Sequence, residues 1–286
     1  MPNELGDPAR PTRIILNFSH RCNMACEWCY VPFGGSPPTA ETCLRIVARC
    51  KEIGMAVVTL GGGDPFIYPF LPDLIASAKQ AGLLVHVDTN AIAMRQTPDT
   101  ARLIEECIDL IGVPLDGPSA YIHGMMRSSP GHFDVLMKRL SWLEPYREKI
   151  KINTVVTSLN AASLPELGRL ITRLNPARWS LYQYWPLSLG AKSVSRHGID
   201  HQSFMSAVRA INPLGRIQIE VNPLPSRRLT YPFVSHEGVL YTHSLSSLGD
   251  YEMLGSLFDN GVVERMFSRC GPERVEAQSR YQLSEG

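Results

Sequence analysis

Phe18-Ser-His-Arg-Cys-Asn-Met-Ala-Cys-Glu-Trp-Cys-Tyr30 carries three cysteines, Cys22, Cys26 and Cys29, in one short segment. Three thiolates are one short of the four ligands that close a structural zinc site, and no second Cys-x-x-Cys pair follows to complete one. An iron–sulfur cluster held by three thiolates would leave one iron open to a small ligand, the arrangement a catalyst needs. The competing reading is three buried, unligated thiols, since free cysteine is among the most buried residue types. A cysteine-rich loop straight after the apolar run Arg13 to Phe18 suits coordination better than packing.

Outward from this loop, short β-rich runs alternate with longer segments of helical period, the mark of βα units around a parallel sheet. Strands are expected at Arg13 to Phe18, Ala56 to Leu60, Leu83 to Asp88, Leu110 to Leu115, Lys151 to Thr157 and Trp179 to Tyr184. Helices are expected near Thr39 to Ile53, Phe70 to Ala81, Thr97 to Cys107, Phe133 to Tyr146 and Leu164 to Leu174. The expected fold class is therefore α/β, a partial (β/α)6 barrel over residues 12–190. Past Tyr184 the pattern loosens, with Pro186, Pro213, Pro223, Pro225 and Pro232 punctuating short segments. A small C-terminal α+β cap is expected over 191–286.

Composition narrows the class. The 286 residues are enough for one barrel with an appendage, and the formal net charge of +1 gives no bulk attraction to nucleic acid or membrane. No run approaches the roughly 18 apolar residues of a bilayer span. Met1 to Thr12 lacks the basic-then-apolar pattern of a secretion signal. Seven cysteines, three of them clustered, argue against a secreted disulfide framework. A cytoplasmic enzyme is the expectation, with Cys43, Cys50, Cys107 and Cys270 as packed thiols.

In parallel barrels, function gathers where strands end, because the following loops converge on one rim. The second expected strand runs into Leu60-Gly-Gly-Gly-Asp-Pro-Phe66, where glycines admit a close backbone approach and Asp64 suits an ammonium group. Alone, this stretch reads equally as a tight loop with a helix-capping Asp. Val87-Asp-Thr-Asn90 and Val113-Pro-Leu-Asp-Gly-Pro118 end the next two strands, and Arg127 follows.

Together these stretches resemble the radical S-adenosylmethionine (SAM) superfamily. The cysteine loop is similar to its cluster-binding signature, Gly62-Gly63-Asp64-Pro65 to its Gly-Gly-Glu-Pro element, and Asn90 to the Asn of its Thr-Asn-Gly element. The resemblance implies a [4Fe–4S] cluster on Cys22, Cys26 and Cys29. It further implies SAM contacts from Tyr30, Gly62, Gly63, Asp64, Pro65, Asn90 and Arg127, with Arg127 forked onto the SAM carboxylate. It also implies reductive cleavage of SAM to a 5′-deoxyadenosyl radical, with electrons from a flavodoxin- or ferredoxin-type donor. Three positions depart from the pattern: Asp64 for Glu, Ala91 for Gly, and Pro114 for Ser, which removes a hydroxyl.

Ile150-Lys-Ile-Asn-Thr-Val-Val156, Leu174-Asn-Pro-Ala-Arg-Trp179 with Tyr182-Gln183, and Gly255 to Glu264 resemble viperin and its microbial relatives. That likeness implies a nucleotide-type substrate with Lys151 at its pocket; Gln183 closes the matched stretch, and the aromatic residues Tyr184 and Trp185 beside it suit stacking on a sugar or base of the substrate. The chain departs in Tyr30-Val31-Pro32, where the family has Phe-His, and in the apolar loop Tyr184 to Gly190, where it has an acidic one. Phosphate charge would then come from Arg178, Lys192, Arg196, Arg227 or Arg228. Tyr231 to Tyr241 reads as a hairpin around Glu237-Gly238 similar to that of enzymes with auxiliary clusters. Cys270 alone lies beyond Cys107, however, and that argues against a second cluster.

The expected function is hydrogen abstraction from a small polar metabolite: a nucleotide, nucleoside or sugar derivative. Alternatives are a sugar epimerase or dehydrogenase, with Cys270 as hydrogen donor, or a peptide-modifying enzyme of natural-product biosynthesis. In another class stands an iron–sulfur redox or iron sensor, which would have no need of Asp64, Asn90 and Arg127.

Overall fold

The computed structural model describes residues 11–227 and 232–271. Ten strands form one sheet: β1 Arg13–Phe18, β2 Val57–Gly62, β3 Leu84–Asp88, β4 Leu110–Pro114, β5 Ile150–Val156, β6 Arg178–Gln183, β7 Gln218–Asn222, β8 Phe233–Ser235, β9 Val239–His243 and β10 Tyr251–Ser256. Their order is β10-β9-β8-β1-β2-β3-β4-β5-β6-β7. Strands β1 to β7 pair in parallel, β8 joins parallel to β1, and β9 and β10 run antiparallel beyond it. Among the described residues, β7 and β10 remain the two edges, so the barrel is incomplete.

The helices are α1 Ala40–Glu52, α2 Leu71–Gln80, α3 Pro98–Cys107, α4 Ala120–Arg127, α5 His132–Trp142, α6 Leu164–Leu174, α7 Val194–His197, α8 His201–Arg209, α9 Leu224–Arg227 and α10 Asn260–Arg269. Apolar residues recur at helical spacing on the sheet-facing side. In α1, Cys43, Ile46, Val47 and Cys50 are buried; in α6, Leu164, Leu167, Gly168 and Ile171 are. Side-chain caps start several helices: Thr39 accepts from the Thr42 amide, Thr97 from that of Thr100, and Ser119 from that of Ile122.

Five of the expected helices are present within a few residues of their expected ends. Helix α5 stops at Trp142, short of Tyr146, because Pro145 turns the chain into a 3-10 segment. Helix α4 lay outside the expected set, and its Ser119 cap was its local signal. Strands β7 and β8 carry the parallel sheet beyond the six expected strands, so the C-terminal segment is hydrogen-bonded into the barrel sheet at both edges. The hairpin around Glu237-Gly238 is β8–β9, with Gly238 at φ +82°. Tyr231 and Arg228 lie outside the described residues.

Along each parallel strand, side chains alternate between the helices and the barrel interior. Ile14, Leu16, Val58, Leu60, Val85, Val87, Ile152 and Leu181 are fully buried in the helix-facing core. Each contributes about 1.5–3 kcal/mol through its burial. The alternate residues point inward, and many are polar, which decides the site.

Candidate active site

The cysteine segment leaves β1 and folds over the end of β2. Two glycines make this contact possible. Gly62 adopts φ +94°, and a Cβ on Gly63 would stand 2.0 Å from the carbonyl oxygen of Arg21. Any side chain there would push the cysteine loop off the strand end. From the other side, the segment after β6 straps the loop down. Gly190 N donates to Cys29 O at 3.3 Å, Ser188 Oγ to Val31 O at 3.2 Å, and Ser193 Oγ to Glu27 O at 3.1 Å. Arg196 also meets the Glu27 carboxylate at 3.0 Å.

The three thiols line one cavity of about 520 Å³. Burial pushes the Cys29 thiol up to about 12 and raises that of Cys22, so ionising them calls for a positive centre beside them. Among the described residues, no three His, Cys, Asp or Glu side chains converge closely enough for a single metal ion. Three thiols on one cavity wall match the number of protein ligands that a cluster with one open iron takes. Two donors also face them: Asn90 Nδ2 lies 3.6 Å from Cys22 Sγ, and Arg127 Nη1 lies 3.8 Å from Cys26 Sγ. Such donors stabilise sulfur carrying negative charge.

Behind this wall the ends of β3 and β4 are wired together. Asp116, fully buried, accepts from Arg127 Nε at 2.5 Å and from the Val155 amide at 2.8 Å. The Arg127 guanidinium also lies over the Trp28 ring, 4.5 Å from its centroid. The Asp116 backbone N–H donates to His123 Nδ1 at 3.1 Å, His123 Nε2 lies 2.9 Å from His132 Nδ1, and His132 Nε2 lies 2.8 Å from Asn90 O. Burial lowers both histidines, His123 to about 2, with the Arg127 charge adding to the effect on each.

Of the expected SAM contacts, Tyr30, Gly62, Gly63, Asn90 and Arg127 line the cavity. Asp64 and Pro65 are not among the lining residues. The Asp64 carboxylate is fully buried and accepts from Thr89 Oγ1 at 2.9 Å, Asn90 N at 2.9 Å and Phe66 N at 2.9 Å. Both oxygens are thus engaged inside the wall; burial raises the Asp64 pKa against these hydrogen bonds. With one methylene fewer than Glu, the side chain ties the β2 end to the β3 end.

The cavity continues into the barrel, where sequence reasoning placed Lys151 and Trp185 and offered Arg227 as a phosphate-binding cation. Lys151 is 1% exposed, with Nζ 3.3 Å from Tyr182 Oη and 3.9 Å from Asp88 Oδ1. Arg13, Asp88, Asn153, Tyr182 and Arg227 line the same space. The Arg227 guanidinium stands 4.5 Å from the Trp185 ring centroid and 5.0 Å from that of Tyr182. The signal for the missed residues was the alternation in Leu84-Val-His-Val-Asp88 and Ile150-Lys-Ile-Asn153, which sets polar side chains on the inner face.

Trp185 lines the cavity, but Tyr184 does not. Successive residues of an extended chain face opposite ways, and Tyr184 turns its hydroxyl onto Gly190 O and Ser193 Oγ beneath the strap. Gln183 is spent on Ile199 O and the Leu224 amide. Cys270 is buried beside Thr242 Oγ1 and lies off the cavity, its thiol pushed up by burial to about 11. Among the cations expected to meet phosphate, Arg227 reaches the cavity. Arg178 pairs with Gln218, Arg196 with Glu27, and Lys192 is exposed.

The family model described as "Radical SAM superfamily" matches residues 16–171. An AdoMet-dependent heme synthase of Oleidesulfovibrio alaskensis is 28% identical over 67% of this chain and 50% of its own length. The S-adenosylmethionine-dependent nucleotide dehydratase RSAD2 of Danio rerio is 26% identical over 60% of this chain and 50% of its own. The chain thus spans about half the length of these curated relatives. Among solved structures, Streptococcus suis SuiB bound to the precursor peptide SuiA superposes with a TM-score of 0.70 at 14% identity, covering 96% of this chain and 67% of that one. Native anSMEcpe with bound AdoMet and Kp18Cys peptide gives 0.67 at 15% identity, covering 90% and 83%. Among the described residues, no helix is long and apolar enough to cross a membrane. A family match over more than half the chain, with the cysteine loop and strand-end residues gathered on one cavity, establishes that this protein belongs to the radical SAM superfamily of enzymes.

Proposed function

We propose that this chain abstracts hydrogen from a small anionic metabolite, a nucleotide or sugar phosphate, bound in the barrel interior. One observation carries this reading: among the described residues, the wall of the cavity that meets the three cysteines carries the cationic side chains Arg13, Arg21, Lys151 and Arg227, besides the Asp116-paired Arg127, and one carboxylate, Asp88. A pocket of that balance favours an anionic guest.

In this reading Cys22, Cys26 and Cys29 hold a [4Fe–4S] cluster, which with SAM supplies a 5′-deoxyadenosyl radical. Gly62 and Gly63 offer close backbone approach, Asn90 takes the polar part of SAM, and Arg127, oriented by Asp116, takes its carboxylate. Lys151 and Arg227 receive the anionic group of the substrate, with Trp185 and Tyr182 forming an aromatic wall. The segment from Ser188 to His197 holds the cysteine loop closed and keeps water from the radical. Residues 12–190 form the core of this machinery, and 191–286 the extension that completes the substrate side. Electrons would come from a flavodoxin- or ferredoxin-type protein. Cys270, away from the cavity, gives no support to an epimerase that returns hydrogen from a thiol.

The test is anaerobic incubation of the reconstituted protein with SAM, reductant and a panel of nucleotides, sugar phosphates and neutral glycosides, reading 5′-deoxyadenosine by mass spectrometry. Stimulation by phosphorylated members supports the proposal. Stimulation by neutral glycosides alone overturns it.

A further inference from the structure

Among the described residues, Asp88 is the one carboxylate on the cavity wall, and the fold makes room for it. It ends β3 in register with Gly112 on β4, which is itself in register with Lys151 on β5. A Cβ on Gly112 would stand 1.9 Å from Asp88 Oδ1 and 2.6 Å from Asn153 Nδ2. The bare position lets the two side chains meet across the middle strand, Asn153 Nδ2 donating to Asp88 Oδ1 at 2.8 Å. His86 Nε2 lies 3.2 Å and Lys151 Nζ 3.9 Å from the same oxygen.

Within this group the acid is the open member. Its side chain is 38% exposed, against 0% for His86 and 1% for Lys151. Beside it, Asn153 Oδ1 is buried without a hydrogen-bond partner. Burial alone would raise the Asp88 pKa, but His86, Lys151 and Asn153 together hold it well below the usual carboxylate range. A carboxylate held ionised is a poor base and a strong acceptor. The Lys151 ammonium next to it disfavours a second cation in the same place.

We propose that Asp88 is a specificity residue that accepts hydrogen bonds from hydroxyl groups of the substrate, so that among nucleotides and sugar phosphates the site selects those with a free sugar hydroxyl over their deoxy forms. This rests on the anionic-substrate reading above: the anion meets Lys151 and Arg227, and the hydroxylated segment meets Asp88. A site built to bond a hydroxyl rejects the analogue that lacks it, because the acceptor is then left unpaired.

Equilibrium dialysis on the anaerobically reconstituted protein tests this. The probes are the four ribonucleoside 5′-triphosphates and ribose 5-phosphate, each with its deoxy counterparts. Wild type is expected to bind at least one hydroxylated probe roughly 10- to 100-fold more tightly than a deoxy form, the range for one hydrogen bond to a charged group. Asp88→Ala, which removes the acceptor, should bring that ratio close to one, and Asp88→Asn, which keeps only a neutral acceptor, should lower it part of the way. A wild type without preference, or variants that keep the full ratio, overturns the proposal. If no probe binds, the hydroxylated class falls; 5′-deoxyadenosine formation with some other anionic compound would then show that the broader reading survives it.

Discussion

His132 Nε2 stands 2.8 Å from the carbonyl oxygen of Asn90, and a single backbone N–H fixes the protons along the chain of contacts leading to it. The Asp116 amide donates to His123 Nδ1, so His123 must carry its proton on Nε2. That proton goes to His132 Nδ1, which leaves His132 to donate from Nε2 to Asn90. Two neutral imidazoles thus hold the β3 end, with Asn90, at a set distance from the β4 end, with Asp116 and its Arg127.

Replacing His132 by Phe leaves the Asn90 carbonyl and the His123 N–H unpaired. The expected cost is about 1–3 kcal/mol in urea unfolding, with weaker SAM binding, because Asn90 and Arg127 lose their common brace. His132→Gln, which can donate and accept, should recover part of both. Unchanged SAM affinity in the Phe variant would show that the relay positions nothing.

Stability should decline early on acidification. His86 is lowered to about 4 and His123 to about 2, and His132 is lowered as well, burial being the main cause each time. Below the ordinary histidine value of about 6.5, the unfolded chain takes up protons that the folded chain refuses. Stability is therefore fully present above that pH and is lost as pH falls toward the folded values. Each histidine contributes a slope of at most about 1.4 kcal/mol per pH unit. Equal urea midpoints at pH 7.5 and 5 would contradict the buried neutral assignment.

Gly63→Ala should release the cysteine loop. The new Cβ would meet the Arg21 backbone oxygen at 2.0 Å, and neither backbone can yield without moving the other. Iron and sulfide retained after reconstitution should fall severely. Gly131→Ala, whose Cβ meets nothing within 4 Å, serves as the control and should retain both. Full iron content in the Gly63 variant would show that the loop tolerates displacement.

Asp64→Asn should weaken SAM and an S-adenosyl compound lacking the amino group by similar factors. The carboxylate is engaged by Thr89, Phe66 and Asn90 within the wall, so its loss acts through loop position. A loss confined to SAM would instead place Asp64 in direct contact with the ammonium group.

Much of the site was legible because its chemistry is local. Cys22, Cys26 and Cys29 sit in one loop, and Gly62 and Gly63 follow one βα unit later, so their meeting on one cavity wall could be expected before any packing is known. Tyr184 was expected beside Trp185 but does not line the cavity, because composition shows an aromatic loop and not which way alternate residues turn. Asp64 matched a motif position, while its contacts with Thr89 and Asn90 join loops that the sequence alone does not bring together. The His123–His132 contact depends on the turn at Ser128, which takes φ +53° and folds α5 back on α4; no periodicity encodes that. Strands β7 and β8 were hidden because short strands carry little pattern, and β8 pairs with β1, which is distant in sequence.

The most direct test of the central claim is one anaerobic experiment on wild type and the Cys22→Ala, Cys26→Ala, Cys29→Ala triple variant. Bound iron and sulfide, visible absorbance and 5′-deoxyadenosine formed from SAM under reductant are measured together. The wild type is expected to hold about four irons per chain, to show cluster absorbance and to release 5′-deoxyadenosine, with the triple variant losing all three properties. A triple variant that kept its full iron and sulfide, or a loaded wild type that never cleaved SAM, would contradict the assignment.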